Sequence, residues 1–106
     1  MVKKTIERRV IGDPDEVLRR CEQALMAIGA GVTSRDARTG MLTAIKGVSW
    51  TSWGEKLTVR VLAKDGRESI VRATSESTFR LTVADWGKNR ANLDRFIHAL
   101  DHADSG

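Results

Sequence analysis

The stretch Gly12-Asp13-Pro14-Asp15-Glu16-Val17-Leu18-Arg19-Arg20-Cys21, continuing to Gly31, decides how the rest of the chain is read. Asp13 is placed to cap a helix. Pro14 suits the first helical position, where its missing N–H is no loss, and Glu16 completes a D-x-x-E capping box. Apolar residues then recur at Val17, Cys21, Ala24, Leu25 and Ile28, the spacing of one helical stripe. Gly29 and Gly31 end the helix, because glycine accepts the left-handed conformation that a helix C-terminus needs.

Outward from this helix the pattern changes to period two. Upstream, Val2, Ile6 and Val10 share one parity, and Lys3, Thr5, Glu7 and Arg9 share the other, as in a half-buried strand. Lys4 and Arg8 interrupt the apolar parity, which places this strand at a sheet edge or bends it. Downstream, extended segments are expected at Val32–Asp36, Met41–Lys46, Glu55–Ala63 and Glu68–Glu76. A turn containing Thr39-Gly40 joins the first two, and Asp65-Gly66 reads as a tight hairpin turn joining the last two. Leu57, Val59, Val61, Val71 and Ala73 point one way, whereas Lys56, Thr58, Arg60, Ile70, Arg72 and Thr74 point the other. Thr78–Val83 is either a short strand or a crossover. Asp85 then caps a second helix with the stripe Trp86, Leu93, Phe96, Ile97 and Leu100, and residues 101–106 form a frayed tail.

With 106 residues, one core is all the length supports, so both helical stripes must pack on one face of the sheet. The expected fold is a single α+β domain over residues 1–106. It is a two-layer β-α-β-β-β-β-α arrangement with an antiparallel five-stranded sheet in the order 1-5-4-3-2. This arrangement resembles the fold shared by the halves of the TATA-binding protein and by the helix-grip lipid carriers. Relatives with such different tasks imply an architecture and no particular activity. Nearer the C-terminus, Ser75-Glu76-Ser77, then Asp85-Trp86-Gly87-Lys88-Asn89-Arg90, then a helix with Leu93, resembles the tail of small bacterial domains of unknown function. That resemblance implies a bacterial origin; the longer serine-arginine segment of such tails is missing here.

Composition removes several classes of function. Apolar residues make up 41% and charged residues 30%, the balance of a folded domain, and no apolar run is long enough to span a bilayer. Residues 1–12 are basic without an apolar stretch, which is not the pattern of a secretory signal. The single cysteine, Cys21, excludes an internal disulfide and fits a cytoplasmic setting. No phosphate loop, nucleophile elbow or paired carboxylates appear, so a non-catalytic domain without a cofactor is expected.

The net charge of +4 suits an acidic partner if the charge clusters. By parity Lys3, Arg9, Arg60 and Arg72 project from the open sheet face with Thr5, Thr58 and Thr74, and Arg can grip a phosphate or carboxylate with two parallel bonds. Glu7 shares that face, and alternating outward charge is also what any solvated sheet shows. Trp50 and Trp53 lie three apart in a glycine-flanked bend. They serve either as a ligand mouth, stacking platform or dimer contact, or as a loop tip folded over the core edge. His98 and His102 stand i, i+4, opposite the apolar stripe. Without a third ligand they read as a solvated face, with Asp94 and His98 a weak surface pair. Cys21 reads as a small core residue. Binding residues are therefore sought among Lys3, Arg9, Trp50, Trp53, Arg60 and Arg72, with an acidic macromolecule as partner. A small apolar ligand carried between helices and sheet, or a second copy hiding Ile70 and Leu62, are the alternatives.

Overall fold

A computed structural model describes residues 3–46, 55–77 and 88–102. The elements run β1 (Lys3–Ile11), α1 (Pro14–Ala27), β2 (Gly31–Asp36), β3 (Met41–Lys46), β4 (Glu55–Ala63), β5 (Glu68–Ser77) and α2 (Lys88–His102). The sheet is antiparallel with the order β1-β5-β4-β3-β2, as the patterning implies. Thr78–Val83, Asp85, Trp86, Trp50 and Trp53 lie outside the described residues. No described helix is long and apolar enough to cross a membrane.

The N-cap forms as expected, although only one half of the capping box is made. The Asp13 carboxylate accepts the Glu16 N–H at 2.9 Å, and Pro14 occupies the first turn. At the other end Gly29 takes φ +84°, the Gly29 N–H reaches the Met26 carbonyl, and the Ala30 N–H reaches that of Leu25. This satisfies carbonyls the helix would otherwise leave bare. Because the chain has already reversed at Ala30, Gly31 is not part of the helix stop. It opens β2 opposite Ile45. The Asp65-Gly66 connection is likewise wider than a tight turn: four residues separate β4 from β5, and the Asp65 carboxylate gathers the N–H groups of Arg67 and Glu68 at 2.7 and 2.9 Å. Those two bonds hold the Asp65 carboxyl below its ordinary range.

One sheet face carries the core. Leu42 and Ala44 of β3, Leu57 and Val59 of β4 and Val71 and Ala73 of β5 are essentially inaccessible, and they meet Val17, Cys21, Ala24 and Leu25 of α1 and Leu93, Phe96 and Leu100 of α2. Of the two charges that broke the apolar parity of β1, Lys4 and Arg8, the second has a partner. Arg8 sits at the edge on the helix side and pairs with Asp101 of α2 at 2.8 Å. At the opposite edge, Arg35 of β2, across from Leu42, pairs with Glu22 of α1 at 3.3 Å. Both edge strands are thus tied to the helix above them.

Gly40 is the least replaceable turn residue. It has φ +71°, its carbonyl accepts the Val61 N–H at 2.8 Å, and a Cβ there would lie 2.5 Å from the Val61 carbonyl oxygen. Gly40→Ala should destabilise the domain by about 2–4 kcal/mol, combining positive-φ strain with a backbone overlap. Urea unfolding checks this; a change below about 0.5 kcal/mol would contradict it.

Candidate functional site

Three regions offer chemistry, and patterning pointed to only one of them. The open sheet face is the expected one. Lys3, Arg9, Arg60 and Arg72 do project from the same side, each exposed. They do not form one uniform basic patch. The Arg72 Nε donates to the Glu7 carboxylate at 2.6 Å. Lys3 lies opposite Glu76, and Arg9 lies opposite Ile70 at the β1 edge. Between the charged rows runs a line of hydroxyls formed by Thr5, Thr74, Thr58, Thr43 and Ser34, one from each strand. The Thr5 and Thr74 hydroxyls are bonded to one another at 2.9 Å. Ile70 and Leu62 are cross-strand neighbours on this face and are half-buried.

The second region is a polar end to the core. Glu55, at the start of β4, and Ser75 of β5 lie on the apolar parity of their strands, and both are buried. Asn92 of α2, with 1% exposure, reaches down between them. Its amide donates to Glu55 Oε1 at 3.1 Å and lies 3.5 Å from Ser75 Oγ. A buried carboxylate is costly unless a donor meets it, so Asn92 is what makes the position of Glu55 tolerable. The signal was present in the period-two pattern, which puts Glu55 in line with Leu57 and Ser75 in line with Ala73. The side chains of Lys88 and Asn89 lie outside the description.

The third region is a groove of about 690 Å³, open to solvent, where the C-terminal end of α1, the end of β3 and the outer flank of α2 converge. Ala27, Ile28 and Ala99 provide apolar lining, and Lys46, Asp94, Arg95 and His98 stand around it. Asp94 pairs with Arg90 at 3.1 Å, rather than with His98 as the i, i+4 spacing suggested. Lys46 and Arg95 have no ion-pair partner among the described residues. The His102 ring instead meets the His98 carbonyl at 2.7 Å, and the two imidazoles are 4.3 Å apart. No cluster of metal-ligating side chains occurs among the described residues. Cys21 is buried in the core, and desolvation pushes its thiol up to about 12, against a smaller lowering by the Arg20 charge. It is a poor nucleophile at neutral pH.

The sequence matches no protein-family model and no curated protein. In three dimensions the chain is similar to an uncharacterised protein from Bacillus thuringiensis. The TM-score is 0.70 at 12% identity, covering 99% of this chain and 100% of that one. It is also similar to a protein from Thermus thermophilus, with a TM-score of 0.54 at 14% identity and 96% of each chain covered. A third likeness is to the Zhui aromatase/cyclase of a Streptomyces species, with a TM-score of 0.50 at 11% identity, covering 97% of this chain and 89% of that one. At such identities the likeness is one of fold alone: a helix-grip-like α+β architecture.

The polar end of the core yields a test of its own. Asn92→Ala should cost about 2–3 kcal/mol, because the Glu55 carboxylate is left without its donor. Combining it with Glu55→Leu, which removes the stranded group, should recover at least about 1 kcal/mol in a double-mutant cycle. Additive losses in thermal or urea unfolding would show that the two side chains are not coupled.

Proposed function

We propose that this domain is a non-catalytic binder of a small amphipathic molecule carrying an anionic group, held in the groove between α1, α2 and the end of β3. The observation that supports this reading is the make-up of the groove. Apolar Ala27, Ile28 and Ala99 lie beside Lys46 and Arg95, two cations that make no ion pair among the described residues: Glu55, opposite Lys46, accepts from Asn92, and Asp94 is taken by Arg90. The groove volume of about 690 Å³ falls in the range of small-molecule sites, which combine apolar lining with a few placed polar groups. A carrier that encloses its ligand between sheet and helices is less well supported. Leu42, Leu57, Val59, Leu93, Phe96 and Leu100 already fill that layer. The ligand is therefore placed at the mouth of the layer, with its apolar part on the alanines and its anion toward Lys46 and Arg95.

The fluorescent anion 8-anilinonaphthalene-1-sulfonate combines both features and serves as the probe. It should bind the native domain at one site with a dissociation constant in the micromolar range, about −8 kcal/mol. Ala27→Trp, at an exposed position in the groove lining, should block it with little effect on folding. Lys46→Ala with Arg95→Ala should weaken it about tenfold or more. Binding that survives Ala27→Trp would overturn the assignment to this groove.

A further inference from the structure

On the open sheet face, Arg60 of β4 lies directly opposite Arg72 of β5. Like charges facing each other across a ladder destabilise a sheet, so such a pair calls for a compensating carboxylate. Only one of the two has it: Glu7, opposite Arg72 on its other side, is bonded to the Arg72 guanidinium. The other neighbour of Arg60 is Met41. Asp36, beyond Met41, uses its carboxylate to hold the N–H groups of Arg38 and Thr39 in the β2–β3 turn. Arg60 is thus an exposed cation set against another cation, with no ion-pair partner among the described residues. Lys56, four residues back on the same side and opposite Glu76, is likewise without an ion pair, and the Thr58 and Thr74 hydroxyls lie between them. A local rule broken without an internal remedy marks a place where the remedy comes from outside.

We infer that the open face is a docking surface for an acidic protein segment, which places a side-chain carboxylate on Arg60 within the patch formed by Arg60, Arg72, Lys56, Thr58 and Thr74. The composition of the face selects protein over nucleic acid. Glu7, Glu68, Glu76 and Asp36 surround the cations on this same face and would repel a continuous line of phosphates. No aromatic side chain stands among its described residues to stack a base. A polypeptide can offer a carboxylate at the centre and amides or cations at the rim. This site is separate from the groove, on the opposite face of the sheet, so neither proposal depends on the other.

The experiment compares a labelled decapeptide that has two central Glu residues, Asn flanks and a Lys at each end with a labelled thymidine oligonucleotide, by fluorescence anisotropy at low and physiological salt. The peptide should bind more tightly than the oligonucleotide, and Arg60→Glu should weaken it at least about tenfold. The same substitution replaces a repulsive cross-strand pair with an attractive one, so the melting temperature should rise by about 1–5 °C. Gain of stability with loss of binding is the signature of a residue kept for its partner. Arg60→Thr supplies the same comparison without charge reversal, and it too should raise the melting temperature while weakening peptide binding. No peptide binding at about 1 mM, equal or tighter binding of the oligonucleotide, unchanged affinity in the variants, or a lowered melting temperature would each overturn the inference.

Discussion

Both helices have to bury their stripes against the same face of one sheet, and most other properties of the molecule follow from that constraint. Val17, Cys21, Ala24 and Leu25 from one helix and Leu93, Phe96 and Leu100 from the other converge on the inward residues of β3, β4 and β5. A chain of this size buries enough apolar surface for one such layer and not for two. The opposite face therefore keeps its charges and hydroxyls. The groove lies where the C-terminal end of α1 and the flank of α2 meet the end of β3, and polar side chains are buried where that layer ends, as Glu55, Ser75 and Asn92 are.

The elements themselves were legible because each rests on local chemistry. A capping carboxylate, a proline at the first turn and a glycine beyond the last one act within a few residues of where they are written, and period-two alternation assigns the sheet faces in the same way. Strand order was legible because two helices confined to one face leave few connections that do not cross. The site was harder to read. Parity placed Lys3, Arg9, Arg60 and Arg72 on a common face, yet it says nothing about which residue of the next strand stands opposite. That register separates Arg72, neutralised by Glu7, from Arg60, which is not. The groove draws on residues from three elements far apart in the chain, and no spacing rule connects Ala27 to Lys46 or Arg95. Asn92 is illegible for a related reason: an amide beside a helical apolar stripe has the pattern of a boundary residue, and only the tertiary packing brings the buried Glu55 carboxylate to it.

Polar groups occupy this structure in two different ways. Glu55 and Asn92 are buried and satisfied by each other, so they read as part of the architecture. Lys46, Arg95 and Arg60 are accessible and lack ion-pair partners among the described residues, so they read as groups held ready for something else. The contrast between internal satisfaction and external availability separates scaffold from surface more clearly here than net charge does. A domain can carry an excess of +4 without any of it being directed at a ligand.

The ion pairs at the two sheet edges, Arg8 with Asp101 and Arg35 with Glu22, are solvent-facing and contribute little to folding. Their larger effect is on what the molecule avoids. A bare edge strand is a template for another chain, and cross-β growth begins when one accepts a neighbour. Here an incoming strand would have to press its side chains against a charge on the helix side of the ladder, at β1 and again at β2. Two interactions of negligible strength in the isolated molecule thus guard against fibrillar self-association in a crowded solution.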